Sequence, residues 1–327
     1  MHMLASTPPM PADRWMHRCA ITVVALTVFM ISVGAMVTTT RAGDTDPTWS
    51  WRFWEWFQRF IHSEHVGLSW ELGHRIVGTV IGFALIAMIV IAWRTKAPRS
   101  FKRLLFAVLI AVILQGALGG LRVLMVSSAN VQGVVFGLTG GSDVELHRAA
   151  FAMVHGMLAQ VTFALTVLLA LMTSRGWKRE PVVSFCKPQI RNHTLGMNRA
   201  LILLILLQLF IGTLLRQTNK GLEQHIINAF IIALYAIGLA LYVQRHHGAV
   251  RCLRSVSAAL AFVVAFQIFL GFTAWMLTRG QFLPSHHASI DAVVRSAHVT
   301  TATTLLALSV VLYVLCRRHI KAAGDGA

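Results

Sequence analysis

Residues 71–82 read ELGHRIVGTVIG. Glu71, His74 and Arg75 fall within five residues, and the chain then runs apolar to Trp93. Crossing about 30 Å of hydrocarbon takes about 20 helical residues, so 76–93 with its flanks is long enough to span a bilayer. Ionisable groups at the lip of such a span are costly in lipid. They face the interior of a helix bundle or a cavity, where they mark function.

Seven other stretches are built the same way. Residues 19–40, 104–121, 149–174, 200–215, 224–244, 255–278 and 296–316 lack Asp, Glu, Lys and Arg and are rich in Leu, Val, Ile, Ala and Phe. The shortest, 200–215, can be extended because Arg216 can snorkel to the interface. Helices of this length in a water-soluble domain would carry polar faces. The sequence therefore predicts an all-α membrane protein with eight transmembrane helices. The first is expected to remain as an anchor, because its apolar stretch is too long for a signal peptide and lacks a small-x-small cleavage site.

The net charge is +17 over 327 residues. Most of the basic residues lie in 14–18, 94–103, 175–199, 245–254 and 317–321, and most of the acids lie in the alternate loops. This is the positive-inside pattern. It explains the charge by topology and excludes nucleic acid as the partner. The expected location is the inner (cytoplasmic) membrane, multi-pass in the lipid bilayer, with both termini cytoplasmic. Cys19, Cys186, Cys252 and Cys316 fall at or near the cytoplasmic side, where disulfides are rare. Their spacing matches neither a zinc site nor a c-type haem motif.

The odd-numbered spans share a pattern. Gln115-x-x-x-Gly119, Gln208-x-x-x-Gly212 and Gln267-x-x-x-Gly271 recur in spans three, five and seven, with Met30-x-x-x-Gly34 in the same register of span one. GAMVTTTRAG (34–43) also stands beside GTLLRQTNKG (212–221). Small residues let helices approach closely. These correspondences predict two parallel four-helix repeats: a first half over 1–174, a basic cytoplasmic linker over 175–197, and a second half over 198–327.

The even-numbered spans carry histidines: His74, His155, His225 and His298. From each one the apolar run continues for a similar length, so all four are expected at one depth, near the outer interface. A single histidine there is an ordinary interfacial residue; one per even helix points to ligands. Neutral imidazole suits Fe, Cu or Zn. The spans hold no deep carboxylates, against a di-iron carboxylate site, and an open zinc site needs three converging ligands. Two histidines on facing helices suit the axial positions of a haem, with sites between the even-numbered helices. Arg75, Arg148, Arg216 and Arg295 near the helix mouths are possible propionate contacts. His147, eight residues before His155, is an alternative ligand.

Glu71 precedes His74 by three residues and shares its helix face. It is either an acid favourable to the helix dipole or a proton acceptor beside a haem-like substrate. No other histidine has a carboxylate at that offset, so the half bearing Glu71 reads as the reactive one. Trp49, Trp51, Trp54 and Trp56 read as an interfacial aromatic belt, or alternatively as a cover over the first site.

Glu-x-x-His-Arg at the start of span two, eight spans, the Gln-x-x-x-Gly repeat and one histidine per even span together resemble the haem A synthase family over residues 18–318. The resemblance implies oxidation of the C8 methyl of haem O to the formyl of haem A, for terminal oxidase assembly. It implies that His74 and His155 hold the substrate haem O, that His225 and His298 ligate the iron of a haem b cofactor, and that Glu71 is catalytic. Implied partners are haem O with its upstream synthase and an electron acceptor of unknown identity; an oligomer is compatible. Many members carry a cysteine pair and a Pro-Asp-Trp-Pro stretch in the first outer loop. Here RAGDTDPTWSWRFWEWF (41–57) has no cysteine, and Asp46, Pro47 and Trp49 match that stretch in part. A quinol-linked dihaem b electron carrier is the alternative. A transporter would break its helices at mid-membrane, and the spans contain no proline.

Overall fold

A computed structural model describes residues 11–40, 42–46, 49, 52–279 and 288–323. Eight helices among them are long and apolar enough to cross a membrane. In chain order they are Pro11–Thr39, Val66–Arg94, Arg99–Ser127, Val144–Thr173, Pro188–Thr218, Leu222–His247, Arg251–Arg279 and Ala288–His319, here called spans one to eight. The protein is a multi-pass, nearly all-helical membrane protein. Large apolar side chains such as Phe83, Leu234 and Phe262 stand exposed along the spans. In lipid that exposure carries no hydrophobic penalty.

Spans one to four pack as a ring: one on two, two on three, three on four, four on one. Spans five to eight repeat the same neighbour order. The two rings meet through spans one and four on one side and spans five and eight on the other. Small polar contacts stitch that seam: Ser32 Oγ lies 3.0 Å from Thr300 Oγ1, and Thr303 Oγ1 donates to Gln160 Oε1 at 3.3 Å.

Between spans five and six the chain reverses over 219–221. Asn219 ends span five at φ 58° and Gly221 precedes span six at φ 89°, both left-handed. Asn and Gly tolerate that region best.

Polar segments extend what hydropathy alone marks out. Span five begins at Pro188, inside the basic stretch expected as linker. The remaining linker holds a short helix, Arg175–Lys178, and a strand, Ser184–Cys186, paired in parallel with Ile320–Ala322. Two further helices, Phe53–Ile61 and Ala129–Thr139, occupy the loops after spans one and three. The first of these alters the aromatic-belt expectation. Trp54 is exposed, but Trp56 is buried and Trp49 packs against Gly120. Trp51 lies outside the described residues.

Candidate functional site: two histidine pairs

Each ring of helices brings two histidines face to face. His74 of span two and His155 of span four have ring centroids 6.3 Å apart, with planes at 62°. His225 of span six and His298 of span eight are 6.2 Å apart at 61°. Metal–imidazole bonds are about 2.0–2.1 Å, so two rings facing one metal from opposite sides have centroids about 6 Å apart. Both pairs fit two axial ligands of one iron. Among the described residues no three His, Cys, Asp or Glu side chains converge.

The Gln-x-x-x-Gly motif acquires a different meaning from helix approach. A Cβ on Gly34 would meet His74 Cε1 at 2.8 Å, one on Gly271 would meet His298 Cε1 at 2.9 Å, and one on Gly212 would meet His225 Cε1 at 3.1 Å. At Gly119 the distance to His155 Cε1 is 3.5 Å. Each glycine makes room for an imidazole from the next span, more than for a neighbouring backbone. The glutamines tie those histidines to the preceding span, and Gln208 Nε2 also lies 3.2 Å from His225 Nδ1. Gln115 Nε2 donates to the His155 carbonyl at 3.0 Å, and Gln208 Nε2 to that of His225 at 2.9 Å. His155 Nδ1 lies 3.1 Å from the Gln115 carbonyl, which commits that nitrogen and leaves Nε2 for a metal. Gln267 Nε2 lies 3.3 Å from His298 Nε2. In span one Met30 stands in place of the glutamine, its methyl packed at Gly78. Buried His74 Nδ1 and His298 Nδ1 have no hydrogen-bond partner.

His147 does not join the first pair. It is held in the outer loop by Thr139 Oγ1 at 2.7 Å and the Asp143 carbonyl at 2.6 Å, beside the Phe136 ring. The geometry brings His155 to His74 instead.

Glu71 lies five residues, about one and a half turns, inside span two, which starts at Val66, so it is beyond the first turn and not a helix-end acid. Its Oε1 accepts from Arg75 Nη2 at 2.7 Å, and its Oε2 accepts from the Asp46 backbone N–H at 3.0 Å. Arg75 Nη1 also donates to Asp46 Oδ2 at 3.0 Å, where Arg59 Nη1 arrives at the same distance. The Arg75 guanidinium lies over the Trp56 ring at 5.7 Å. From span three, Arg122 Nη1 donates to the Gly43 carbonyl at 3.2 Å. Gly43, Asp46 and the helix Phe53–Ile61 are thus pinned at the mouth of the first ring. Sequence reading missed Arg59 and Arg122 and took Asp46 only as part of a stretch. Partners 25 and 29 residues apart leave no periodic signal.

The four mouth arginines differ. Arg75 is committed to Glu71 and Asp46, Arg148 pairs with Glu145 at 3.2 Å, and Arg295 pairs with Asp291 at 3.3 Å. Arg216 donates from Nη2 to the Ala35 carbonyl at 2.6 Å and to Thr39 Oγ1 at 2.7 Å, and its buried Nε has no partner.

The profile of the cytochrome oxidase assembly protein family (COX15-CtaA) matches residues 60–231, more than half of the chain. The chain belongs to that family. The cytochrome oxidase assembly match runs from the end of the capping loop helix through span two into span six. It takes in Glu71, His74, His155 and His225 and stops before His298. The chain is also 33% identical over 153 residues to the heme A synthase of Rhodopseudomonas palustris (strain BisB5). That similarity covers 46% of this chain and 36% of the relative's length.

Proposed function

We propose that this family member is a haem A synthase, oxidising the C8 methyl of haem O to the formyl of haem A for terminal oxidase assembly. The observation that carries the reading is the pair of matched histidine couples, each at the spacing of two axial ligands. The name of the Rhodopseudomonas relative agrees with it.

In this reading His74 and His155 hold the substrate haem O, and His225 and His298 hold a haem b iron. A bound haem b supplies one-electron redox capacity toward an acceptor that must take up the electrons. Gly34 and Gly119 seat the substrate's ligands, and Gln115 fixes the His155 ring. Glu71 serves as proton acceptor near the substrate. Each of its oxygens takes one hydrogen bond and keeps a second lone pair, while Arg75 keeps the carboxylate in place. Asp46 and the helix Phe53–Ile61 cover that mouth and limit bulk water, while one water supplies the formyl oxygen, four electrons pass to the acceptor and four protons are released. The ring order of the helices supports two parallel repeats, and the positive-inside charge pattern supports an inner-membrane location with both termini cytoplasmic.

The second reading is a dihaem b electron carrier. The near-identity of the two pairs favours it, at 6.3 Å and 62° against 6.2 Å and 61°. The carboxylate cap over one pair favours the enzyme. Expression in a host that makes haem O and no haem A, followed by haem extraction and chromatography, separates them. The enzyme yields haem A or hydroxylated haem O, lost in Glu71→Gln. Unaltered haem O beside a haem-loaded, folded protein leaves the carrier.

A further inference from the structure

Among the described residues, Arg216 is the mouth arginine that pairs with no carboxylate. Its Nη2 is spent on Ala35 and Thr39 of span one, and its Nε is buried and unpartnered. It stands one helical turn after Gly212, the glycine against the His225 ring, on the same face of span five. A buried cation without a counterion is costly, and such groups are normally paired. Asp291, an acid at this mouth, is paired with Arg295 at 3.3 Å. The missing element is an anion beside the His225–His298 pair. A guanidinium is a planar fork suited to a carboxylate, so the chemistry that fits is a carboxylate borne by the ligand of that pair.

The other side of the same guanidinium points to a second role. Ala35 follows Gly34, the glycine against the His74 ring. Arg216 therefore joins the end of span five to the helix that seats a ligand of the other pair. We propose that Arg216 anchors a carboxylate of the group held by His225 and His298, and so ties occupancy of that site to the position of span one beside His74. This rests on the haem reading above. At the matching register of span one stands Thr38, which bonds only its own helix, to the Gly34 carbonyl at 3.0 Å. The tie accordingly runs from the second half to the first. As a coupling of binding free energies it is reciprocal: each ligand tightens the other.

Titration of the detergent-solubilised full chain, in a His74→Ala background, with protohaem and with its dimethyl ester tests the anchor. The unmodified Arg216 protein should bind the free acid about tenfold or more tighter than the ester, since losing one partner of a buried charge pair is costly. Arg216→Gln should bind both alike, and Arg216→Lys should recover part of the preference. The acid–ester comparison in the Arg216 protein needs no change at that position, so a misfolded variant cannot mask it. For the coupling, first-site affinity should fall in His225→Ala, fall similarly in Arg216→Gln, and fall no further in the double variant. Equal binding of acid and ester with Arg216 present overturns the anchor. First-site affinity indifferent to Arg216→Gln overturns the tie. A chain that takes up neither haem form at His225 and His298 overturns the haem reading itself, a separate outcome from losing the preference.

Discussion

The two histidine pairs have the same spacing and the same inter-ring angle, yet their mouths differ in kind. Over the first pair Asp46 and Glu71 are paired with Arg59 and Arg75, so these four charges satisfy one another, and Arg122 holds the Gly43 carbonyl. At the second, Arg216 leaves its Nε without an acceptor. A ligand pair says what is bound; its surroundings say what happens to it. Closed, self-neutralised surroundings with a carboxylate suit chemistry on a guest. A buried guanidinium with an unpartnered Nε suits a resident anion.

The largest effect expected from breaking this comparison is at the ligands. His74→Ala should abolish first-site haem and product, and His225→Ala should abolish second-site haem. The absorbance spectrum of each purified variant, against extracted haem content, distinguishes the sites. If either substitution empties both sites equally, the halves do not bind separately.

Next comes the cap. Arg75→Gln leaves Glu71 and Asp46 buried without their shared cation, and breaking a buried pair costs about 3–5 kcal/mol. A lower thermal midpoint with first-site haem lost is the expected result, with the His225–His298 spectrum retained. Equal loss at both sites would mean that the network supports the whole bundle.

The glycines give a graded test. Gly34→Ala and Gly271→Ala place a methyl within 3.0 Å of an imidazole. Overpacking of this kind costs about 1–3 kcal/mol, about tenfold or more in haem affinity. Gly119→Ala meets His155 at ordinary contact distance and should bind nearly as the unmodified protein. Equal behaviour of the three would remove the seating role. The smallest effect belongs to His147→Ala, which should leave haem content at both sites unchanged; first-site loss there would restore His147 as the ligand.

The eight spans were legible because hydrocarbon thickness sets a length that apolar blocks must meet, as 76–93 does. The histidine pairing was legible because one imidazole per even helix, at one depth, leaves few geometries. The ends were not: Pro188 and its basic neighbours are helical on the strength of tertiary packing, which hydropathy does not read. Arg59 and Arg122 were invisible because ion pairs between a loop and a helix have no sequence period. The glycines were noticed for their register, but that they face imidazoles instead of backbones is knowable only in three dimensions.

The short strand pairing of Ser184–Cys186 with Ile320–Ala322 has a consequence in time. A ribosome adds about 5–20 residues per second, so the first strand waits on the order of ten seconds for its partner. Through that interval the first ring, with its histidines and loop, is already complete in sequence while the segment joining the halves is unfastened. The last strand therefore acts as a clasp, closing the join after both helix rings have been made.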